Sequence, residues 1–219
     1  MILPHALYEP EGSGPHPTIV ALHGWGANAM DLLTLAPHLG QRRFMVICPE
    51  GGVTVPLGSG ASGYGWFLLN PNQALELSSK TEDIITAISS LGRFVDQALE
   101  RYPVDASRLV LLGFSQGGVM AYGLGLGKPG RFRGVVSLSS WLVPDLAKKV
   151  IKTNEIRGLP ILVQHGLHDP LIDVSKARQS VDTLRAVQAD VTYREYGMGH
   201  EITSESLADL TRWLEGTIA

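Results

Sequence analysis

The sequence predicts an α/β fold, in which a mostly parallel central sheet is covered by helices on both faces. Short apolar runs of strand length alternate along the chain with segments whose apolar residues recur at helical spacing. The 219 residues, 44% hydrophobic and 18% charged, are enough for one well-buried domain and few for two. We therefore expect residues 1–219 to form a single domain.

The first half of the chain contains two predicted strands, a short helix and a long loop. Residues 18–22 and 44–48 are apolar runs typical of buried strands, and 29–39 has the spacing of a short helix. Residues 49–77 show no clear period, and their early glycines favour a flexible loop. A loop of that length in a compact domain usually has a function.

The second half of the chain alternates strands and helices. A long helix is predicted to begin at Ser79, with Glu82 as its capping-box partner. The other predicted strands are 108–113, 135–138, 161–164 and 191–196, and the other predicted helices are 116–126, 174–189 and 204–218.

Charge and composition exclude several classes of function. The net charge of −3 gives no electrostatic case for binding nucleic acid or an anionic membrane. The single cysteine, Cys48, excludes an internal disulfide and a cysteine-rich metal site, and its apolar neighbours predict a buried structural thiol. No signal-peptide pattern and no run near the ~20 apolar residues of a membrane span is present, so we expect a cytoplasmic protein without stable membrane insertion.

The most informative motif is Gly113-Phe114-Ser115-Gln116-Gly117, a G-x-S-x-G sequence at a predicted strand-to-helix junction. A serine on such a sharp turn takes a sparsely allowed backbone conformation that costs about 1–3 kcal/mol. The turn exposes its hydroxyl at the positive end of the following helix. Side chains at Gly113 and Gly117 would collide where strand and helix cross, and Gly118 relieves the same crowding. A glycine-rich helix start explains the motif equally well when it is taken alone.

Two later loops supply partners for a nucleophilic Ser115. A serine nucleophile needs a general base, and the base needs an orienting acid. Asp169 and His200 each follow a later predicted strand, which gives the chain order Ser, Asp, His found on hydrolase sheets. Asp173 is the reserve candidate for the acid. A turn at Asp169-Pro170 and a helix start after His200 are the alternative explanations for each residue alone.

His165, His168 and Asp169 also suggest a metal site, but the chain offers no further distant set of ligands. His165 precedes a glycine, as in an ordinary turn. We therefore predict neither a metal nor another cofactor.

Attack on a carbonyl places negative charge on its oxygen, which requires backbone N–H donors that are already oriented. The N–H of Gln116, at the start of the helix after Ser115, is one candidate. The other is the N–H of Trp25, because Gly24 and Gly26 on either side let the backbone turn it toward the site. A plain glycine-rich turn is the alternative.

Four stretches together resemble the phospholipase/carboxylesterase family of α/β hydrolases, which includes acyl-protein thioesterases and small bacterial carboxylesterases. The resemblance covers nearly the whole chain and implies an α/β-hydrolase fold. It implies Ser115 as nucleophile, Asp169 as acid and His200 as base, with Trp25 and Gln116 as oxyanion donors. The stretches are Leu22-His23-Gly24-Trp25-Gly26, Gly113-Phe114-Ser115-Gln116-Gly117-Gly118, His165-Gly166 with Asp169-Pro170, and Gly197-Met198-Gly199-His200.

Two further stretches, Gly65-Trp66-Phe67 and Ser140-Trp141-Leu142, are similar to family sequences near the substrate cleft. Thioesterases of the family often carry an acidic residue where this chain has Ala27-Asn28, and tend to have Asp where Leu68-Leu69 follows. Both departures favour a hydrolase of small esters with an apolar cleft. The predicted substrate-binding residues are Trp66, Phe67, Leu68, Trp141 and Leu142.

The resulting prediction is a serine carboxylesterase that acts on short- to medium-chain esters, with a small-molecule or lipid ester as substrate. Too few residues lie between Ser139 and Pro160 for a separate cap domain, so we expect an open cleft shaped by loops 51–78 and 140–158. An acyl-protein thioesterase or lysophospholipase with the same triad is the alternative among enzymes. A catalytically silent binding protein is the alternative from another class, and exposed apolar residues around the cleft could equally form a homodimer face.

Overall fold

The computed structural model describes residues 3–58, 60–69 and 80–219, and a seven-stranded sheet forms its centre. The strands of the described residues, in chain order, are β1 (His5–Tyr8), β2 (His16–Leu22), β3 (Met45–Pro49), β4 (Val53–Gly58), β5 (Ala61–Gly65), β6 (Val104–Phe114), β7 (Gly134–Leu138), β8 (Pro160–Gly166) and β9 (Asp190–Tyr196). Strands β4 and β5 pair only with each other, and the other seven form the central sheet in the spatial order β1-β3-β2-β6-β7-β8-β9. All neighbours run parallel except β1, which is antiparallel to β3. The predicted mostly parallel sheet is confirmed.

Helices cover both faces of this sheet, because successive side chains of a buried strand point to opposite sides. Ile19 and Val110 belong to the core beneath α1 and α7, whereas Val20 and Leu111 belong to the core beneath α2, α3, α4 and α6. The helices are α1 (Ala29–Leu33), α2 (Thr81–Arg101), α3 (Gln116–Gly127), α4 (Pro144–Val150), α5 (Thr153–Ile156), α6 (Val174–Ala186) and α7 (Ser204–Ile218). None of the helices in the described part of the chain is long and apolar enough to cross a membrane.

Helix α3 lies deepest, and residues 116–126 are all buried. It packs directly on the sheet and on α2. A methyl group on Gly123 would collide with the side chain of Ile88, and one on Gly125 with Val135. Small residues therefore allow the helix that follows Ser115 to approach its neighbours closely.

The structure corrects the first part of the long loop predicted over 49–77, because β4 and β5 pair there as an antiparallel hairpin, whereas residues 70–77 lie outside the described residues. The hairpin is joined to the loop after β2: the Gly26 N–H donates to Tyr64 O at 2.8 Å and the Tyr64 N–H to Ala27 O at 2.7 Å. The residues that these bonds join lie far apart in sequence, so the local sequence pattern does not predict the bonds.

Other boundaries differ for local reasons. The helix predicted at 29–39 ends at Leu33, and a 3₁₀ turn containing Pro37 follows, since proline lacks the N–H needed to continue. Ser79 lies outside the described residues, and α2 begins at Thr81. Asp83, rather than Glu82, accepts the Lys80 N–H at 3.1 Å.

Three further features of the fold bear on the sequence predictions. The loop predicted at 140–158 contains α4 and α5. Strand β1, which has no predicted counterpart, adds the antiparallel edge to the sheet. Cys48 is buried and burial raises the pKa of its thiol to about 12, as expected for a structural cysteine.

Candidate active site

Ser115 occupies the sharp turn between β6 and α3. Its backbone has φ 54° and ψ −120°, which is a strained conformation for any residue other than glycine. The surrounding structure holds this conformation in place: the Ser115 N–H donates to Leu138 O at 2.9 Å, and Ser115 O accepts from the Ser140 hydroxyl at 2.7 Å. The turn is therefore a rigid part of the molecule.

The two motif glycines permit this turn. A methyl group on Gly113 would collide with Gly117 O, and one on Gly117 would collide with Leu22 O. Added bulk at Gly118 would meet the Ser140 side chain. The expectation that these glycines allow strand and helix to cross closely is confirmed.

Asp169 and His200 form a hydrogen-bonded pair at the ends of β8 and β9. His200 Nδ1 lies 2.8 Å from Asp169 Oδ2. The other carboxylate oxygen accepts the N–H groups of Leu171 and Ile172, each at 2.9 Å. Because the carboxylate fixes the proton on Nδ1, Nε2 of His200 is left to accept a proton.

The structure brings Ser115 next to this pair through its neighbour, Phe114. The Phe114 ring packs on the His200 ring with 4.9 Å between centroids. Among the described residues, no hydrogen bond joins the Ser115 hydroxyl to His200. In ligand-free enzymes the contact between nucleophile and base is often longer than in the substrate complex.

The reserve acid and the suggested metal residues have other positions. Asp173 caps helix α6 by accepting the Ser175 N–H at 2.9 Å. His165 is fully buried, with Nε2 at 2.8 Å from Ile172 O and 3.4 Å from Asp169 Oδ2. His168 is exposed, and within the described ranges no group of three or more His, Cys, Asp or Glu side chains could hold a metal ion.

The loop that carries Trp25 lies against the nucleophile turn. An added Cβ on Gly24 would be only 3.3 Å from Ser115 Cβ. Neither the Trp25 N–H nor the Gln116 N–H donates to any acceptor in the described part of the chain. Two unpaired backbone donors next to a strained serine are what an oxyanion site requires.

His23 holds the Trp25 loop in shape. Its Nδ1 lies 2.7 Å from Gly24 O, and its Nε2 accepts the Gly51 N–H at 3.0 Å. Burial lowers the pKa of His23, so the ring is neutral and has one donor and one acceptor nitrogen. The sequence predicts no role for His23 itself, although its place directly after a buried strand was a usable signal.

The Gln116 side chain has a second role that sequence reasoning missed. Its Oε1 accepts the Trp66 N–H at 2.8 Å and its Nε2 donates to Phe67 O at 2.6 Å. The indole N–H of Trp66 also donates to His23 O at 2.9 Å. Trp66 and Phe67 are thus buried residues that tie the hairpin segment to the nucleophile turn.

The five predicted substrate-binding residues divide between two grooves. Trp141 and Leu142 line a groove of about 650 Å³, and Trp66, Phe67 and Leu68 line another of about 490 Å³. Neither groove is lined by any of the three predicted catalytic residues. Contact between these five residues and a substrate stays a prediction.

Comparison with known proteins agrees with this architecture. A relative in Gibberella zeae named acyl-protein thioesterase 1 is 29% identical over 200 residues, covering 88% of this chain and 83% of the relative. The crystal structure of esterase PE8 superposes with a TM-score of 0.82 at 25% identity, covering 99% of this chain and 100% of that one. The fold is also that of a Bacillus cereus carboxylesterase, with a TM-score of 0.78 at 22% identity, covering 97% of this chain and 93% of that one. The family model for phospholipases and carboxylesterases matches residues 4–218, so the chain belongs to this family of hydrolases with the α/β-hydrolase fold.

Proposed function

We propose that this protein hydrolyses short- to medium-chain carboxylic esters through an acyl-enzyme on Ser115. The observation that carries the proposal is the strained Ser115 turn, which lies beside a histidine that is hydrogen-bonded to a buried carboxylate. Strained residues are kept where the strain positions a reacting group.

The proposed reaction uses three side chains. Ser115 Oγ attacks the ester carbonyl carbon while His200 Nε2 takes its proton, and Asp169 stabilises the imidazolium through Nδ1–H. The tetrahedral intermediate then collapses, and His200 returns the proton to the departing alcohol. Water attacks the acyl-serine in the same way, which releases the carboxylic acid and restores the serine.

The developing oxyanion would accept hydrogen bonds from the N–H groups of Trp25 and Gln116. The proposal rests on their lack of other acceptors in the described residues and on the closeness of Gly24 to Ser115. Removing one such donor typically costs about 2.7–4 kcal/mol of transition-state stabilisation.

A thioesterase is the second candidate, and the name of the Gibberella zeae relative favours it. A thioester carbonyl passes through the same tetrahedral intermediate, so the same residues would serve. The segments Ala27-Asn28 and Leu68-Leu69 lack the acidic residues that thioesterases of the family often have, which favours small esters as substrates. Comparing p-nitrophenyl esters from acetate to palmitate with matched acyl thioesters decides between the two.

Substitution of Ser115 tests the nucleophile. We expect Ser115→Ala to fold normally, to lose hydrolysis of p-nitrophenyl butyrate, and to resist labelling by a fluorophosphonate probe. Ser89→Ala is the matched control, because Ser89 is an exposed helix serine that only bonds Ile85 O. Substantial turnover by folded Ser115→Ala protein would remove Ser115 from the mechanism.

A pair of aspartate variants tests the acid. Asp169→Asn should lower kcat by on the order of 10⁴-fold, the loss seen when the amide favours the wrong imidazole tautomer in serine proteases. Asp173→Asn should leave kcat nearly unchanged, because Asp173 caps α6 instead. If the larger loss occurs in Asp173→Asn, the acid has been assigned to the wrong residue.

A further inference from the structure

A groove between α4 and α6 is lined by none of the three proposed catalytic residues. Its volume of about 650 Å³ exceeds that of the other described cavities. Trp141, Leu142 and Ala147 are its buried residues, and Ile151 and Val187 line it further along. The surface is therefore an apolar channel with a polar rim.

One side of the groove is a continuous stripe along α6. The lining residues Lys176, Gln179, Thr183 and Val187 recur at intervals of three or four, so they share one helix face. Val181 and Leu184 of the same helix are buried and belong to the core instead. At 1.5 Å per residue, the stripe from Lys176 to Val187 is about 16 Å long, which suits an extended chain rather than a compact molecule.

The charged residues among the described lining of the groove are both lysines. Lys148 and Lys176 line it, and none of the described acidic side chains does. Lys148 is paired with Asp145 at 2.9 Å. Lys176 has no carboxylate partner in the described part of the chain, and its Nζ lies 5.7 Å above the Trp141 ring. The free cation thus lies at the Trp141 end of an apolar channel.

We propose that this groove is a second binding site, and that it takes a long-chain carboxylate such as a fatty acid anion. The carboxylate is placed on Lys176 beside Trp141, and the alkyl chain runs along the α6 stripe toward Val187. Each methylene removed from water favours binding, while the carboxylate complements a lysine that no acid among the described residues neutralises.

The site adjoins the nucleophile turn without including it. Trp141 lies between Ser140, whose hydroxyl bonds Ser115 O at 2.7 Å, and Leu142, whose N–H bonds Ser180 Oγ on α6 at 2.8 Å. An occupant of the groove would therefore touch the segment that supports Ser115. If the proposed esterase function holds, the acid that it releases shares the carboxylate group of this ligand but has a shorter alkyl chain.

Calorimetric titration of dodecanoate, below its micelle concentration, into the Ser115→Ala protein tests the site independently of catalysis. We expect one binding site, about tenfold weaker binding in Lys176→Gln, and unchanged affinity in Lys149→Gln, whose lysine lies on α4 but pairs with Glu82. Dodecanol should bind Lys176→Gln and the parent equally. Thr183→Trp, which fills the groove from an exposed position, should weaken both ligands.

Several results would overturn the proposal. These are the absence of dodecanoate binding, binding that neither Lys176→Gln nor Thr183→Trp weakens, and loss of binding when Ser115 of the unmodified protein carries a dodecyl phosphonate. The last result would make the catalytic cleft the binding site. Concentration-dependent dimerisation abolished by Thr183→Trp, without dodecanoate binding, would make the groove an interface between two copies.

Discussion

At the scale of single residues, His165 is the side chain whose role is least evident from its sequence. It lies fully buried beside the candidate acid, Asp169, and its Nε2–H donates to Ile172 O. The same turn provides the N–H groups of Leu171 and Ile172 that hold the Asp169 carboxylate. His165 therefore anchors the turn that orients the acid, and we regard it as a positioning residue.

Two variants of His165 separate positioning from packing. His165→Gln can place an amide N–H where Nε2–H now lies, whereas His165→Leu leaves Ile172 O without its buried donor. We expect His165→Leu to lower kcat by on the order of 10–100-fold through misplacement of the acid, with KM little changed, and to move the acid limb of the kcat/KM pH profile. His165→Gln should recover most of kcat. Equal kcat losses in the two variants, with unmoved pH profiles, would indicate packing alone.

The candidate catalytic residues could be predicted because each signal is local: a motif at a strand end, or a polar residue directly after an apolar run. The contacts of His23, His165 and the Gln116 side chain could not, because each joins segments that are remote in sequence or depend on the exact path of a turn. His-Gly after a buried strand occurs at both His23 and His165; at His165 the sequence indicates an ordinary turn, and His23 has no predicted role of its own. In the structure His23 holds the Trp25 loop, and His165 holds the turn after Asp169.

At the scale of elements, the β4–β5 hairpin helps to determine the shape of the Trp25 loop, which is the proposed oxyanion loop. Tyr64 forms two backbone hydrogen bonds, one with Gly26 and one with Ala27. The hairpin therefore holds this loop in addition to the side chain of His23. A side chain on Gly63 would collide with Gly26 O. The hairpin can therefore reach the loop only through a residue without Cβ.

Glycine substitutions on the hairpin side test this coupling. Gly63→Ala should lower the free energy of unfolding by about 1–3 kcal/mol, as overpacking does, and should lower kcat/KM by more than tenfold by shifting the Trp25 N–H. Gly52→Ala is the control, because open space surrounds an added Cβ there. Urea unfolding and ester hydrolysis measure the two effects. Full activity in a destabilised Gly63→Ala protein would uncouple the hairpin from the oxyanion loop.

Strands and helices were predictable where the spacing of hydrophobic residues alone determines them. The buried parallel strands and α7 were found from their apolar patterns, since burial on both faces of a sheet leaves a continuous run. Strand β1 and the β4–β5 hairpin were missed. Strand β1 has only four residues, β4 and β5 contain glycine, and all three are partly exposed, so they depend on pairing partners more than on their own sequence. The α4 helix was missed because only seven residues form it.

At the scale of the whole molecule, His23 and His165 make the stability of the fold sensitive to mild acid. Burial lowers the pKa of both residues, so each imidazole is neutral in the folded protein at neutral pH. The unfolded chain binds protons at these positions below about pH 6.5, while the folded chain resists them. The unfolded state therefore holds more protons, and the free energy of unfolding falls as the pH falls through this range.

Urea unfolding between pH 8 and pH 5 measures this dependence. The free energy of unfolding should be flat above about pH 7.5, decline below about pH 6.5, and level off once the folded-state pKa values are passed. His165→Gln should show a smaller decline. Carboxylates such as Glu195, whose pKa Arg178 lowers to about 2, act only at more acid pH. Stability that is constant or rises as the pH falls from 7 to 5.5 would contradict the assignment.

The glycine content of α3 has a consequence for the order in which the molecule folds. Five of its twelve residues are glycine, and each costs about 1 kcal/mol of helix propensity relative to alanine. The segment cannot persist as an isolated helix, so it forms only when the sheet and α2 enclose it. The serine turn at its start then exists only in the completed molecule, and a partly folded chain lacks the backbone geometry on which the proposed nucleophile depends. We expect fluorophosphonate reactivity to return in the last kinetic phase of refolding, after most of the far-UV signal; labelling in an earlier phase would show that the turn forms without its enclosure.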